Sequence, residues 1–429
     1  MMSFAAIVLI ASVIIFALIG VPLVWSLVLA SVCSIAVGGT LNALPILAQR
    51  MFAGGLQYSM LAIFFFVLAG AIMQYGGLSR RLVAFANSLV GHISGGASLV
   101  CVMACAFFAA ISGSAVATTA AIGGIMYPEL KRLGYPEDYA AALPAAAGVL
   151  GVIIPPSVLF IIYGNITNVS PGKLLMAGIV PGVMGALFMC IICYVLAKKR
   201  HYPKNEGFVL KDVWTTFKDA FWALLMPVII LGGIYSGIFT PTESGGVAAG
   251  YCLFCAIFIY REMTWELFIR IIKESCRTTG NVMILCMAAG ALSYLLTIYQ
   301  IPATLSNFLI ANVANRYTFM LGVVVLLLFL GMFMDVGASI LILGPLLAPV
   351  AVAFGIDPIQ FGVIFVFSMA IGQATPPFGT DLFVVCGFSG RNVMAVGKHS
   401  LLFCTALVAV ILLCIFIPQV ATALPGIMV

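Results

Sequence analysis

The sequence predicts an all-α polytopic membrane protein, built as an inverted structural repeat with two re-entrant hairpins and two broken helices. Three observations predict it. The first is composition. Of 429 residues, 64% are hydrophobic and only 7% charged, and the mean hydropathy is +1.23, whereas a soluble domain carries about 25% charged residues. The second is a pair of interrupted apolar runs, Gly148 to Ser157 and Met369 to Asp381, each containing a Pro-Pro pair. Proline removes a backbone donor and clashes with the preceding turn, so neither run continues as one helix. Lipid offers no partner to the freed backbone groups, and a broken apolar helix at mid-membrane depth is the best sequence pointer to a transporter binding site. The interruptions share one register. Gly151 and Gly372 lie 372 − 151 = 221 positions apart, and Pro155/Pro376, Pro128/Pro349 and Gly134/Gly355 repeat that offset. A period of half the chain fits the duplicated halves of a secondary transporter, not a solenoid with repeats of roughly 20–50 residues. The third observation is the distribution of charge, which follows from the elements.

Residues 4–20 and 22–38 read as two helices parted by Gly20-Val21-Pro22. Residues 42–57, short and amphipathic with Pro45 and Arg50, fit a membrane surface. Residues 58–75 span and end at Gly76-Gly77. From Arg80-Arg81 to Ile111 the chain is punctuated by His92 and Gly95-Gly96, so it reads as a hairpin with its tip at Ser112-Gly113-Ser114 and a helix on to Tyr127. The first broken helix covers about 138–168, and 174–197 spans again. Lys198 to Asp219 is a long polar loop that holds His201. Residues 220–239 span, 261–277 form a second amphipathic arm, and 278–298 span. Residues 301–354 form the second hairpin unit with a break at Asp335-Val336-Gly337. The second broken helix covers about 359–388, and 399–418 is the last span.

With both hairpins re-entrant, every Lys and Arg except Arg50, Lys173 and Arg316 falls on one side. The positive-inside rule makes that side cytoplasmic. The first hairpin then opens to the cytoplasm and the second outward, which is the inversion. Helix-length apolar runs exclude an outer-membrane barrel. No basic leader precedes the first run, so no cleavable signal peptide is expected. The net charge of +6 sits at membrane ends and does not point to nucleic acid. Cys190/Cys193 and Cys252/Cys255 have metal-site spacing, but no histidine lies near to complete a zinc site. No nucleophile–base set or Walker loop is present, so neither an enzyme nor an ATP-driven pump is supported.

Ser112-Gly113-Ser114 reads as small residues for close helix packing. At a hairpin tip it also offers carbonyl and hydroxyl oxygens for a hard cation such as Na⁺, and the helix from Ala115 aims its N-terminal dipole there. Asp335 and Asp381 are intramembrane acids, which mark function by default; Asp335 is equally a good N-cap for the helix that follows. Thr375 and Thr380 flank the second Pro-Pro pair with hydroxyl oxygens. Thr240-Pro241-Thr242-Glu243 has the spacing of a capping box with proline at the first helical position, so Glu243 reads as structural. No Lys or Arg lies in the expected hydrocarbon region, so an anionic substrate would be met by helix N-termini, amide and hydroxyl donors and bound cations.

Ile111-Ser112-Gly113-Ser114-Ala115-Val116-Ala117-Thr118 resembles a motif of the large membrane subunit (DctM type) of TRAP transporters. Ile153-Ile154-Pro155-Pro156-Ser157, Phe239-Thr240-Pro241-Thr242-Glu243, Asp357 to Gly362 and Thr375-Pro376-Pro377-Phe378-Gly379 resemble further motifs of that family, across essentially the whole chain. The resemblance implies an elevator-type, Na⁺-coupled importer of organic acids in the bacterial inner membrane, with no organic cofactor. It implies two partners, a small membrane subunit and a periplasmic substrate-binding protein, besides membrane lipid. Because the chain starts in the large subunit, the small one is expected as a separate polypeptide. The implied division is scaffold and first arm over 1–60, transport domain over 61–170 and 281–392, scaffold and second arm over 171–280, and a C-terminal helix over 393–429. The first implied Na⁺ site uses Ser112, Ser114, Gly151, Ile154 and Pro156. The second uses Asp335, Gly337, Gly372, Thr375 and Phe378 with Thr380. Ser114, Ser157 and Asp381 are the expected substrate contacts. Two departures from the family stand out: Gly151-Val152 where many relatives have Gly-Pro, and Gly379-Thr380-Asp381 where many have Gly-Leu-Asn. The added acid turns the reading from a simple dicarboxylate toward sialic acid. Proton-coupled antiport through Asp335 or Asp381, and passive conduction, are the alternative classes.

Overall fold

The computed structural model describes residues 4–39, 41–200, 202, 208–313 and 315–427; His201 lies outside them. Those residues form helices without a strand. Helices α1 (Phe4–Leu18) and α2 (Leu23–Val37) are separated by Gly20, at φ +86°, and by Pro22. Helix α3 (Leu44–Gly55) is the first arm, and α4 (Leu61–Tyr75) the following span. The hairpin unit contains α5 (Leu78–Val90), α6 (Gly96–Ser112) and α7 (Ala115–Arg132). The first broken helix is α8 (Glu137–Gly148), a single turn α9 (Leu150–Ile153) and α10 (Val158–Thr167), with a bend of 46°. Then come α11 (Pro171–Ala177), α12 (Ile179–Arg200), α13 (Leu210–Tyr235) and α14 (Pro241–Phe254). The second half continues with α15 (Trp265–Ile298), α16 (Ile301–Asn312), α17 (Arg316–Gly331) and α18 (Val336–Ala353). It closes with α19 (Pro358–Gln373), α20 (Thr380–Ser389) and α21 (Val393–Phe416).

The elements recur at the offset read from the sequence. Helix α7 begins at Ala115 and α18 at Val336, and α8 begins at Glu137 and α19 at Pro358; each pair differs by 221 (336 − 115 and 358 − 137). Packing crosses between the two halves. Helix α7 lies against α8 and also against α20, while α18 lies against α19 and also against α10. The centre of this body is aromatic and aliphatic: Tyr139, Tyr163, Phe361, Phe365 and Phe367 are fully buried. A second, smaller core joins α1, α2, α3 and α15 through Leu9, Leu27, Leu47 and Leu292.

Two expectations differ from the structure. The second arm and the span after it form one helix, α15, of 34 residues. At 1.5 Å per residue it is about 50 Å long, more than the roughly 30 Å of hydrocarbon. No Gly or Pro stands between Trp265 and Thr279 to stop it. The polar loop is also shorter than expected, because α12 runs to Arg200 and α13 starts at Leu210. Helix α13 is held there by Phe217 against Phe85, with ring centroids 5.7 Å apart. The capping box forms as expected: Glu243 Oε2 accepts from Thr240 N at 2.8 Å, and Thr240 Oγ1 accepts from Glu243 N at 3.3 Å.

The arm α3 crosses α15 where Gly54 meets Gly290. A Cβ on Gly290 would stand 2.8 Å from the Arg50 carbonyl oxygen, whereas one on Gly280 of the same helix would meet nothing within 4 Å. Both positions gain about 1 kcal/mol of helix propensity on becoming alanine, but overpacking costs about 1–3 kcal/mol. Gly280→Ala is therefore expected to hold or raise the unfolding temperature of the purified chain, and Gly290→Ala to lower it relative to Gly280→Ala. Equal shifts for the two would show that the crossing is not close.

Candidate functional site: two hairpin tips on two broken helices

At the first tip, Gly113 ends α6 at φ +65°. Only glycine fits, because a Cβ there would also stand 2.8 Å from the Pro156 carbonyl oxygen. The Gly113 carbonyl accepts from Val158 N at 3.4 Å, which joins the tip to the N-terminus of α10. Ser114 caps α7, its Oγ accepting from Ala117 N at 3.4 Å. Thr118 Oγ1 donates to the Ser114 carbonyl at 2.8 Å and lies 2.8 Å from Ser112 Oγ. Gly151 faces this carbonyl, since a Cβ on it would lie 2.5 Å from Ser114 O and 2.4 Å from Thr118 Oγ1. Ile154 takes extended backbone after α9, and the Pro155–Pro156 bond is cis. The structure thus brings Ser112, Ser114, Gly151 and Pro156 together around one knot of backbone oxygens, with Ile154 closing the turn. Ser157 is fully buried, and its hydroxyl accepts from Phe160 N at 3.3 Å as the cap of α10.

The second tip repeats this pattern with other chemistry. Asp335 stands 221 positions after Ser114 (335 − 114) and caps α18, with Oδ1 accepting from Ala338 N at 3.2 Å. Ser339 Oγ donates to the Asp335 carbonyl at 3.0 Å, as Thr118 does to Ser114. Asp335 is solvent-exposed and Gly337 buried. Gly372 presses on the end of α17: a Cβ on it would lie 2.5 Å from Gly331 Cα. Thr375 Oγ1 donates to the Gly372 carbonyl at 2.7 Å. Ser400 of α21 supports the break by donating to the Ala374 carbonyl at 2.6 Å. The Phe378 ring is 56% exposed and lies 5.7 Å from that of Phe333. Gly372 and Thr375 are in direct contact, while the Asp335 carboxylate is engaged by the first turn of its own helix. Of the two readings of Asp335, the structure shows the N-cap.

Asp381 is fully buried, and neither of its carboxylate oxygens, nor Thr380 Oγ1, has a hydrogen-bond partner among the described residues. An ionised carboxylate left so costs several kcal/mol. Its position corresponds to Phe160 in the first half (381 − 160 = 221), so this is a place where the halves differ in chemistry.

Four helix N-termini belong to these tips and breaks, those of α7, α10, α18 and α20. The first three lie close together: Gly113 bonds to Val158, and a Cβ on Gly337 would reach Leu159 Cδ2 at 3.7 Å. Such termini attract anions. Among the described residues no group of three or more His, Cys, Asp and Glu side chains is placed to hold a metal ion. Backbone carbonyls and hydroxyls can hold a hard monovalent cation without such a group. Thr118 and Ser339 are the site residues that motif reading missed. The available signal was a hydroxyl four residues after each tip residue, one helical turn on.

Residues 10–420 match the family described as the tripartite ATP-independent periplasmic transporter, DctM component. The chain is 40% identical over 380 residues to the C4-dicarboxylate TRAP transporter large permease protein DctM of Pseudomonas aeruginosa, covering 89% of each chain. It is 39% identical to the 2,3-diketo-L-gulonate TRAP transporter large permease protein YiaN of Escherichia coli, covering 94% of each. It is 34% identical to the sialic acid TRAP transporter permease protein SiaT of Haemophilus influenzae, covering 96% of this chain and 67% of that one. In fold it is similar to the Alcanivorax borkumensis YdaH transporter, with a TM-score of 0.66, 15% identity and 90% coverage of each chain.

The Gly151 contact gives a sharp test. Gly151→Ala would drive a methyl into the Ser114 carbonyl, whereas Gly124→Ala on α7 meets nothing within 4 Å. Substrate uptake by vesicles carrying the full transporter should fall at least about tenfold for G151A, a loss of about 1.4 kcal/mol or more, and stay unchanged for G124A. Normal uptake by G151A would mean that the tip and the break do not need their close approach.

Proposed function

Because this chain belongs to the DctM component family of tripartite ATP-independent periplasmic transporters, we propose that it imports an organic acid driven by a Na⁺ gradient, as the multi-pass subunit of the bacterial inner membrane. Its partners are a small membrane subunit and a periplasmic protein that delivers the substrate. The observation that supports this reading best is the pairing of each tip with a break, with the Ser114 carbonyl oxygen held close against Gly151 at the first. The first Na⁺ is assigned to Ser112, Ser114, Gly151, Ile154 and Pro156. The second is assigned to Asp335, Gly337, Gly372, Thr375 and Phe378, with Thr380. No carboxylate is needed at the first site, because carbonyl dipoles at an interrupted helix coordinate such an ion. The substrate carboxylate is assigned to the neighbouring N-termini of α7, α10 and α18, beside Ser114 and Ser157, with bound Na⁺ supplying the charge that the absence of Lys and Arg leaves out. Asp381, an acid added near the second break, makes sialic acid the first substrate to test and a C4-dicarboxylate the second. The body over 61–170 and 281–392, built from the two hairpins and two broken helices, is the part that moves, in the manner of an elevator, against the scaffold over 1–60 and 171–280.

The decisive experiment is uptake into proteoliposomes holding this chain, the small subunit and the binding protein. Labelled sialic acid and a C4-dicarboxylate are compared with and without an inward Na⁺ gradient. Accumulation that needs Na⁺ is the expected outcome. Accumulation that ignores Na⁺ and follows a pH gradient would replace the reading by proton coupling, and equilibration without accumulation would replace it by a passive channel. Within the same assay, Thr375→Ala should raise the Na⁺ concentration for half-maximal uptake by about tenfold, the loss of roughly one hydrogen-bonded hydroxyl at the site. Thr405→Ala should not change it, because Thr405 is an exposed residue of α21 that bonds only to Leu402 O.

A further inference from the structure

A crevice of about 820 Å³ is bordered by α6 and α12 and reaches Ile154 at the back of the first break. At one end Gly182 of α12 meets Ile154 of the first break, and at the other Ala197 of α12 meets Gly95, the residue before α6. A Cβ on Gly182 would lie 2.5 Å from Ile154 Cγ1, and one on Gly95 would lie 2.3 Å from Ala197 Cβ. Between these contacts a groove runs along the exposed face of the two packed helices. Met103 and Phe107 form one wall, and Ile154 of the first break forms the floor. The other wall is the face of α12 that carries Val183, Leu187, Ile191 and Tyr194 at helical spacing. Leu187 and Ile191 are 57% and 58% exposed, which is costly in water and ordinary in lipid.

One end of the crevice is basic. The last turn of α12 carries Lys198, Lys199 and Arg200, all exposed. The Lys198 ammonium sits 5.0 Å above the Tyr194 ring, where the crevice ends. From Gly182 to Tyr194 the helix rises about 18 Å, close to the roughly 15 Å of one hydrocarbon leaflet. The crevice therefore reaches from headgroup level to mid-membrane depth. An extended acyl chain can follow an apolar groove of that length, and the basic rim suits a phosphate.

We infer that the crevice between α6 and α12 holds one acyl chain of an anionic phospholipid from the leaflet on the basic side, with its phosphate on Lys198 and its tail against Ile154. The bound lipid then wedges the outer face of the first break and supports the turn that carries the proposed cation ligands. The inference needs only that the chain spans a bilayer, so it and the proposed Na⁺ coupling fail separately.

The test uses the full chain with its small subunit in phosphatidylcholine bilayers containing phosphatidylglycerol with a photoreactive group along its acyl chain. After irradiation the adducts are mapped by mass spectrometry. Adducts should concentrate on the peptides that carry Met103–Phe107 and Val183–Tyr194. Lys198→Gln, at an exposed position, should lower the phosphatidylglycerol adducts there about fivefold and leave those from labelled phosphatidylcholine unchanged. Ala186→Phe should remove both. Adducts spread evenly over other exposed apolar faces, such as the α17 face that carries Val325 and Phe329, would overturn the inference. So would adducts that appear on the lone chain and vanish when the small subunit is present, since the crevice would then be covered by protein.

Discussion

Everything central in this structure depends on satisfying backbone groups where an apolar helix is interrupted. In a hydrocarbon environment a free carbonyl or amide has no water to turn to. The chain meets this demand by folding a hairpin tip onto each interruption, so that two irregular segments face each other rather than lipid. Close approach follows from that demand. Gly113 lies against Pro156, Gly151 against Ser114, and Gly331 against Gly372, at separations that leave no room for a methyl group. Hydroxyls take up what remains, with Thr118 and Ser339 each bonding to the tip carbonyl one turn earlier. A cation that loses its water shell needs a similar group of preplaced oxygens, so an arrangement required for folding in lipid is already suited to coordination.

Among the described residues no Lys or Arg side chain is buried, and this has a counterpart in the helix ends. Four helices begin at the tips and breaks, and their N-terminal amides present partial positive charge where the chain offers no Lys or Arg. Charged pairs gather elsewhere. Arg391 reaches Asp138 at 2.7 Å and Glu137 at 3.4 Å, joining the link after α20 to the first turn of α8. Arg81 pairs with Glu262 at 2.7 Å and covers the Tyr260 ring at 4.1 Å, joining the start of α5 to the approach of the long helix α15. These pairs are part exposed, and their value lies in fixing position more than in net stability.

Much of this was legible in the sequence because lipid narrows the possibilities. Pro155-Pro156, Pro376-Pro377 and Ser112-Gly113-Ser114 announce non-helical backbone, and the helices stop at each of them. Thr240 and Glu243 announced their own capping box. Other features left no local mark. The continuity of α15 rests on the absence of a breaker before Gly280, which is easily overlooked when charge changes along a helix. The fate of the Ser157 hydroxyl, turned to its own helix as a cap, depends on the direction in which the break bends. The packing of α7 on α20 and of α18 on α10 joins residues more than 150 positions apart, and hydrophobic periodicity says nothing about partners at that range.

That cross-packing sets a limit on how the sequence can change. Each half-helix after a break leans on the hairpin of the other half, so the two halves keep one register although their residues differ as much as Ser114 and Asp335. A residue inserted into α7 would displace not only its own tip but also the bed of α20, and an insertion in α18 would do the same to α10. A substitution changes one half alone, whereas an insertion or deletion shifts both. The unbroken offset of 221, kept from Ala115/Val336 through Pro155/Pro376, is the trace of that restriction (336 − 115 = 376 − 155).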